Sequence, residues 1–395
     1  MRCKICNNNK TYDVLNLKKQ PLANKYPKNK LEIKKEYKFN LKVCFCEKCK
    51  SAQIKKIIDR KLMFTDYYYL SSINKGLVEH FDKLAKKLKN SNFVLDIGSN
   101  DGVLLAPLKK LGIKAIGVDP SVNVGKIANK KGLKTIIDFF NVKVIEKITK
   151  AYSKPDTIVA SSVITHLEKP IEFAKNIKKI LKDNGILILE IEYLLNFIKN
   201  LEYERFYFDR PFYYSLKSID ILFKSVGMSL IDVEKINIHG GSLRCYIKNS
   251  KNFKQSSRCK KILNIEMKRL NKNLFKKFNL NILNESKKLK NKLLQLKKNN
   301  KFVIGYGAPA RVATITNYQK INSKFINYII DDSPLKQNKY TPGSHIKIVA
   351  MNNKLNISKV DIVIVFAYEY FSDIRKKFKS KKIKFFKPIP FKELS

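Results

Sequence analysis

Two pairs of cysteines near the N-terminus have types and spacing that suit metal chemistry. The pairs are Cys3 with Cys6 and Cys46 with Cys49, each in the form CxxC. Four thiolates placed in this way can close a tetrahedral zinc site, whose closed coordination makes it structural rather than catalytic. We therefore predict a zinc module, in which Cys44 is the alternative to Cys46 as a ligand.

Residues 93–102 read FVLDIGSNDG and predict a site for S-adenosylmethionine (SAM). A strand runs into a glycine loop that opens a helix, and a second strand, KAIGVDPS, carries Asp119 about 20 residues after the loop, where doubly wound folds place an acid for ribose hydroxyls. The loop has the form D-x-G-x-x-x-G, which lacks the G-x-G-x-x-G pattern of pyrophosphate binding and suits SAM. The predicted cofactor-binding residues are Asp96, Gly98, Ser99, Asn100, Gly102, Asp119, Pro120, Asp138 and Phe139.

Three further strands extend this βαβ unit into a doubly wound sheet. We predict them at 133–140, 156–167 and 185–194. The first of these carries Asp138 and Phe139, the expected contacts to adenine. The strand at 156–167 ends at His166. Because the carboxyl ends of strands in open α/β sheets face the ligand crevice, we expect His166 to reach the methyl acceptor.

A second, smaller α/β region follows a long Lys-rich stretch. Apolar residues at helical spacing predict an amphipathic helix over 258–301. The chain then reads FVIGYGAPARVATITNY, in which Gly305-x-Gly307-x-x-Ala310 after a strand is typical of a dinucleotide loop. Its backbone N–H groups and the following helix N-terminus could bind a phosphate of the acceptor. NAD is an alternative ligand, for which we find no acid placed to bind the ribose.

The composition limits the class of protein. The chain has 395 residues and a net charge of +48, from 81 Lys and Arg against 33 Asp and Glu. The lysines are spread along the whole chain and form no designed patch, so we do not expect nucleic acid as a partner. No apolar run approaches the about 20 residues of a membrane span, and the N-terminus has no signal-peptide pattern. We expect a cytoplasmic protein without membrane contact, whose cysteines bind metal or stay free.

Motifs along nearly the whole chain resemble those of one enzyme family. They are CKIC, QPLANKY, CEKC, YLSS, DIGSNDG, EIEYL, IHGGSLR, GYGAPA and DDSPLKQNKYTPGSHI. In this order they resemble the sugar C-methyltransferases of deoxysugar biosynthesis, which methylate a carbon next to a keto group on a nucleotide-linked hexose. The resemblance implies an α/β protein with a class I SAM methyltransferase sheet, an N-terminal zinc module and a C-terminal Rossmann-like domain. The expected boundaries are 1–65 for the zinc module, 66–250 for the methyltransferase domain, 251–300 for a helical connection and 301–395 for the C-terminal domain.

The stretch FYFDRPFYY carries most of the catalytic residues that the resemblance implies. Where the family has Tyr-His-Glu-His, this chain has Tyr-Phe-Asp-Arg at 207–210. Asp209 is thus a shortened Glu, and Arg210 stands in the place of a His proposed as the base. An arginine does not give up its proton at neutral pH, so the base would be Asp209 or His166. His166 and Tyr207 would polarise the keto oxygen, and Arg210 could hold the enolate or an acidic group of the substrate.

The resemblance also implies the residues that surround the substrate. The implied catalytic residues are Tyr69, His166, Tyr207, Asp209 and Arg210. The implied substrate-binding residues are Tyr213, Tyr214, Gly305, Tyr306, Gly307, Ala308, Pro309 and Lys336. The expected ligands are SAM, Zn²⁺ and a nucleotide-linked sugar, bound by a monomer or a homodimer. Two alternatives stay open: an O- or N-methyltransferase of a nucleotide sugar with His166 as the base, and an RNA methyltransferase whose zinc module and lysines hold phosphates.

Overall fold

The computed structural model describes residues 1–64, 70–251, 253–352, 355–380 and 382–395. Within these residues the strands form three separate sheets. One sheet belongs to the N-terminal module, one to the central α/β region and one to the C-terminal α/β region. The predicted catalytic residue Tyr69 lies outside the described residues. None of the helices in the described part of the chain is long and apolar enough to cross a bilayer.

The N-terminal sheet is antiparallel and has the order β1-β2-β3-β9. Its strands are β1 (Tyr12–Pro21), β2 (Lys38–Cys46), β3 (Ser51–Ile54) and β9 (Phe212–Tyr213), and its helices are α1 (Lys30–Lys34) and α2 (Lys61–Phe64). Strand β9 belongs to the stretch FYFDRPFYY. This pairing therefore fixes the aromatic stretch of the central region onto the N-terminal module.

The central sheet has the order β10-β11-β8-β7-β4-β5-β6. Its strands are β4 (Phe93–Ile97), β5 (Lys114–Asp119), β6 (Thr135–Ile137), β7 (Thr157–Ser161), β8 (Ile186–Glu192), β10 (Ser229–Ile236) and β11 (Ser242–Lys248). Its helices are α3 (Lys75–Lys87), α4 (Leu105–Lys110), α5 (Val122–Lys130), α6 (Val142–Tyr152), α7 (Pro170–Ile180), α8 (Leu194–Lys199) and α9 (Leu216–Lys224). Strands β4 to β8 run parallel, so their carboxyl ends share one edge.

Two predicted strands are shorter than expected. Strand β6 covers only Thr135–Ile137 of the predicted 133–140. Strand β7 ends at Ser161, and His166 lies in a short 3₁₀ turn, Ile164–His166, rather than on the strand. The break follows Ser162, whose φ of 57° belongs to the left-handed region and cannot continue a strand. His166 still follows the carboxyl end of β7, as the prediction required.

The predicted helix over 258–301 is divided into α10 (Ser257–Arg269) and α11 (Lys272–Lys298). The Asn271 side chain accepts a hydrogen bond from the Leu274 backbone N–H at 3.0 Å, which starts a new helix. Helix α11 buries an apolar stripe along its whole length. Its first half packs into the core of the central region, and its second half packs into the C-terminal core.

The C-terminal sheet has the order β14-β13-β12-β15-β16-β17. Its strands are β12 (Val303–Tyr306), β13 (Ile329–Ile330), β14 (Ile348–Val349), β15 (Ile362–Val365), β16 (Lys384–Lys387) and β17 (Lys392–Leu394), and its helices are α12 (Arg311–Tyr318) and α13 (Phe371–Lys376). Strands β12 to β16 are parallel and follow the order 3-2-1-4-5. In such a sheet the strand order reverses beside the first strand, and ligands bind there.

Candidate active site and metal centre

The predicted cysteines form one cluster in the N-terminal module. The sulfur atoms of Cys3, Cys6, Cys46 and Cys49 all lie within 4.8 Å of one another. Two pairs, Cys3–Cys49 and Cys6–Cys46, are 3.6 Å apart. A tetrahedron with zinc–sulfur bonds of about 2.3 Å has sulfur–sulfur edges of about 3.8 Å, whereas a disulfide requires about 2.05 Å. The cluster therefore fits one zinc ion.

Polar side chains contact the sulfur atoms of the cluster, and Cys44 is not one of its four cysteines. The Gln53 amide donates to the Cys3 sulfur at 3.2 Å, and Ser51 lies 3.0 Å from the Cys49 sulfur. Donors of this kind stabilise thiolates and orient them around a metal. Cys44 instead donates to the Gln53 carbonyl at 3.5 Å, away from the cluster.

A cavity at the carboxyl edge of β4, β5 and β7 collects most of the predicted SAM residues. Those that line it are Asp96, Gly98, Ser99, Asn100, Asp119, Pro120 and Phe139. Gly102 and Asp138 are not among the lining residues. Gly102 has a φ of 84°, and a Cβ there would lie 2.4 Å from Leu133, so we attribute this glycine to loop geometry. The Asp138 side chain is exposed.

The acid at the end of β5 is built into the glycine loop. Asp119 accepts hydrogen bonds from the backbone N–H groups of Asn100 and Ser121, both at 2.9 Å. The Gly98 N–H donates to the Val118 carbonyl at 2.7 Å, which holds the loop against the strand end. Burial raises the pKa of Asp119, while the two N–H donors oppose that shift. Free lone pairs on a carboxylate held in this way can accept ribose hydroxyls.

His166 lines the same cavity and has a defined tautomer. Its Nδ1 lies 2.5 Å from the carbonyl oxygen of Asp209, so Nδ1 carries the hydrogen. Burial, followed by the charge of Arg210, lowers the pKa of His166 to about 4. The imidazole is therefore neutral at pH 7, and its Nε2 is a proton acceptor.

Arg210 forms an ion pair that the sequence analysis missed. Its guanidinium lies 2.6 Å from the carboxylate of Glu192, which is buried at the carboxyl end of β8. The guanidinium also lies over the Tyr207 ring, 5.3 Å from its centroid. The position of Glu192, at the end of a strand that faces the crevice, was the signal available in EIEYL.

The second predicted base, Asp209, is directed elsewhere. Its carboxylate accepts a hydrogen bond from the Asn24 amide at 2.6 Å, and burial raises its pKa. Neither Asp209 nor Tyr207 is among the residues that line the cavity. Tyr207 is buried against Ala23 and Ala313 instead. The cavity thus contains only one of the two predicted bases, His166.

The two tyrosines predicted to form the substrate wall are core residues in this structure. Tyr213 and Tyr214 are buried, and neither lines the cavity. The Tyr213 hydroxyl accepts from the Tyr207 N–H at 3.0 Å, and the Tyr214 hydroxyl donates to the Ile164 carbonyl at 3.3 Å. Both rings brace the backbone around the site, because packing onto the N-terminal sheet takes them away from solvent.

The C-terminal glycine loop repeats the arrangement around Asp119. Asp331, at the end of β13, accepts from the backbone N–H groups of Ala308 at 2.6 Å and Ser333 at 2.9 Å. The Gly307 N–H donates to the Ile330 carbonyl at 2.7 Å. The expectation that this domain lacks an acid at the ribose position was therefore wrong. The sequence did not reveal this acid because Asp331 lies 23 residues after Ala308 and meets the loop only when the strands pair.

The other predicted residues of this loop have structural contacts of their own. The Tyr306 hydroxyl donates to Asp332 at 2.9 Å. Lys336 Nζ lies 3.8 Å from the Asp331 carboxylate. A Cβ on Gly305 would lie 2.7 Å from Ile329, so this glycine allows the strands to pack closely. Pro309 precedes α12, where its fixed φ suits the approach to a helix.

A charge network around two buried arginines connects the two α/β regions. Arg311, the first residue of α12, pairs with both carboxylate oxygens of Glu369. Arg205 of the central region donates to the same carboxylate at 2.8 Å and pairs with Glu202, also at 2.8 Å. Arg205 and Arg311 are buried, and both pair with the partly exposed carboxylate of Glu369, so these ion pairs link the two regions.

Comparisons with known proteins agree with this architecture. Three protein-family models match the chain: "Putative zinc binding domain" at residues 3–64, "Methyltransferase domain" at 69–233 and "C-methyltransferase C-terminal domain" at 237–390. The C-methyltransferase NovU of Streptomyces niveus is 24% identical over 400 residues, which cover 98% of this chain and 95% of that protein.

Two further matches cover part of the chain. The ubiquinone biosynthesis O-methyltransferase of Pelagibacter ubique is 35% identical over 108 residues, 26% of this chain and 43% of that protein. The solved structure of magnesium protoporphyrin IX methyltransferase from Synechocystis with bound SAM is 17% identical, with a TM-score of 0.34 over 44% of this chain and 80% of that chain.

The central sheet, its cavity and the matching methyltransferase domain define a SAM-dependent methyltransferase of class I fold. With the N-terminal and C-terminal matches added, the chain carries a zinc-binding, a methyltransferase and a C-methyltransferase C-terminal domain in one sequence, and it is similar to a C-methyltransferase over nearly its whole length.

Proposed function

We propose that this enzyme transfers the methyl group of SAM to a carbon next to a keto group of a nucleotide-linked sugar. The observation that carries the proposal is the second loop-and-acid arrangement, formed by Ala308, Asp331 and Ser333. One such arrangement serves the methyl donor, so the second supports another ligand with ribose and phosphate groups. Similarity to a C-methyltransferase over 98% of the chain supports carbon as the acceptor atom.

The stretch at 206–210 supports an acceptor that reaches from one arrangement to the other. On the SAM side, the carbonyl of Asp209 accepts from His166. On the C-terminal side, the carbonyl of Phe206 accepts from Thr314 of α12 at 3.4 Å. This stretch of chain therefore connects the two arrangements, which supports an acceptor that is held by the C-terminal loop and methylated at the SAM site.

His166 is the residue that we assign to proton removal. SAM supplies a methyl group on a positively charged sulfur, so the protein must align the acceptor and create a nucleophile. His166 holds a proton on Nδ1 toward the Asp209 carbonyl, which leaves Nε2 to accept the proton next to the ketone. Arg210 is protonated and paired with Glu192, so it serves as a positive charge near the developing enolate.

We also propose that the four-cysteine cluster holds Zn²⁺ and that its role is structural. The cluster offers four sulfur ligands, so it leaves no open position for a substrate. In the described part of the chain all seven cysteines are unpaired by disulfides. Free thiols and thiolate ligands suit a reducing compartment, which supports the cytoplasm as the site of action.

The test is mass spectrometry of the enzyme with SAM and a panel of nucleotide-linked 4-keto sugars in deuterated water. We expect a product heavier by one methyl group and deuterium at the adjacent carbon of unreacted ketone. Methyl transfer to a reduced nucleotide sugar, without exchange, would refute carbon methylation and establish an O- or N-methyltransferase. Transfer to RNA with a steep salt dependence would refute the nucleotide-sugar proposal altogether.

A further inference from the structure

A second histidine lines the cavity beside His166. His239 lies in the loop between β10 and β11, in the motif IHGGSLR, and it is among the lining residues. Strand β11 begins at Ser242, which pairs directly with Glu192 of β8. The loop that carries His239 is therefore at the same edge of the sheet as the Glu192–Arg210 ion pair.

The backbone holds His239 in an uncommon conformation. His239 has a φ of 50°, and the next two residues, Gly240 and Gly241, have φ values of 82° and 102°. A Cβ on Gly240 would lie 2.7 Å from Arg205, and one on Gly241 would lie 2.5 Å from Asn196. The glycines thus let the loop pack closely against its neighbours. A non-glycine residue in the left-handed region is maintained where the surroundings fix it, and such residues concentrate at functional sites.

The neighbouring charges affect the pKa values of His239 and His166 differently. At His239, burial lowers the pKa, and the next largest effect is the carboxylate of Glu192, which raises it. Arg210, Arg205 and Glu190 act more weakly there. At His166 the order of these two effects on the pKa is reversed, because Arg210 lowers the pKa more than Glu192 raises it. Burial outweighs the carboxylate, so the pKa of His239 is lowered overall and its imidazole is neutral, with one ring N–H that can donate.

Carbon methylation requires a hydrogen-bond donor for the enolate oxygen as well as a base. His166 does not meet the need for a donor in its neutral tautomer, because its one hydrogen is on Nδ1 and is donated to the Asp209 carbonyl. Tyr207, the other expected donor, is buried outside the cavity lining. His239 lines the cavity, as His166 does, so its ring N–H has the position to supply this donor.

We propose that His239 donates a hydrogen bond to the acceptor oxygen while His166 accepts the proton from the adjacent carbon. This inference rests on the proposed function. The C–H electrons form the enolate, and the hydrogen bond from His239 stabilises its oxygen. The enolate carbon then forms a bond to the methyl carbon, and the carbon–sulfur bond breaks with its electron pair going to sulfur. The ketone is restored, and the proton on His166 passes to water.

Two variants of equal side-chain length separate donation from packing. His239→Gln keeps an N–H donor, and His239→Met removes it. With a nucleotide-linked 4-keto sugar and SAM, we expect His239→Met to lower kcat about 10²–10³-fold, His239→Gln to lose clearly less, and both to bind SAM like the wild type. His345→Met is the matched control, because His345 pairs with Glu36 and does not line the cavity. Equal losses in the Gln and Met variants, or wild-type turnover in both, would overturn the inference.

A second measurement needs no acceptor. The chain has four histidines, so ¹⁵N-histidine NMR spectra can be assigned with single variants. We expect the His239 signals to shift when S-adenosylhomocysteine binds, and its pKa to fall in Glu192→Gln but not in Glu393→Gln. If the wild type neither methylates a ketone nor exchanges its adjacent hydrogen, the proposed function is refuted. The NMR experiment still tests whether His239 lies in the SAM cavity. His239 signals that do not respond to S-adenosylhomocysteine would refute the place of His239 in the cavity and with it the proposal.

Discussion

The replacement of Asp119 by asparagine is the sharpest test of the SAM site. The carboxylate of Asp119 accepts from the N–H groups of Asn100 and Ser121, one on each oxygen, both at 2.9 Å. An asparagine side chain has nearly the same shape but only one acceptor oxygen. Its NH₂ group would face one of these N–H donors, so a hydrogen bond is replaced by a contact between two donors.

The size of the effect follows from the bonds that are lost. A hydrogen bond to a charged group contributes about 1.5–3 kcal/mol, and leaving a buried donor without a partner costs a similar amount. The bonds within the loop are present with and without SAM, so their loss mainly lowers the stability of the site. The same carboxylate is the expected acceptor for the ribose hydroxyls, and loss of one of those bonds, at about 1.4 kcal/mol for each factor of ten, weakens binding about 10- to 150-fold.

Isothermal titration calorimetry with SAM and S-adenosylhomocysteine measures this effect directly. The matched control is Asp138→Asn, which makes the same chemical change at an exposed carboxylate outside the cavity lining. We expect Asp119→Asn to weaken both ligands and Asp138→Asn to bind within about twofold of the wild type. If Asp119→Asn binds SAM like the wild type, or if the control loses as much, the assignment of the ribose acid is refuted.

Three other variants test separate parts of the structure. Cys6→Ser should release zinc, measured by atomic emission of the purified protein, whereas Cys44→Ser should keep it; equal zinc in both would disprove the four-cysteine site. His166→Asn should lower turnover about 10²–10⁴-fold with unchanged SAM affinity, and normal turnover would remove this residue from the mechanism. The folded state lowers the pKa of His166 to about 4, so folding favours the neutral imidazole. As pH falls from about 6.5 toward 4, the wild type should therefore lose up to roughly 3 kcal/mol more stability than His166→Asn. Parallel urea unfolding curves at both pH values would contradict this. Glu369→Gln removes the carboxylate that pairs with Arg311 and one of the two that pair with Arg205, so it should cost about 1–3 kcal/mol, against little change for the exposed Glu393→Gln. Equal midpoints in urea would show that the network does not hold the two regions together.

Local chemistry explains which parts of the site the sequence could predict. The cysteine pairs and the loop FVLDIGSNDG combine the needed atoms within a few residues, so their spacing alone specifies them. Asp119 was predicted because a strand end has a defined place in a βαβ unit. The same rule could have identified Asp331, but β13 has only two residues, Ile329–Ile330, and gives little strand signal.

The parts that the sequence could not give depend on distant packing. The six rings of FYFDRPFYY are consistent with a substrate wall, but β9 pairs with β3 of the N-terminal module and buries Tyr213 in the core. Glu192 and Arg210 meet only when β8 and the aromatic stretch come together. His239 reaches the cavity because β11 is aligned with β8. These contacts join residues that are distant in the sequence, so no pattern within one segment could predict them.

A loop of the N-terminal module contacts both sides of the proposed acceptor site. Between β1 and α1, Asn24 donates to Asp209, and the Tyr26 hydroxyl donates to the Ala308 carbonyl at 2.7 Å. One loop of the module therefore contacts both the stretch beside His166 and the C-terminal glycine loop. Strand β1 pairs with β2, and β2 ends at Cys46 in the cluster. A metal that orders β2 would thus hold this loop in place, and a structural zinc ion would govern acceptor binding while leaving the SAM loop, which has its own contacts to Asp119, intact.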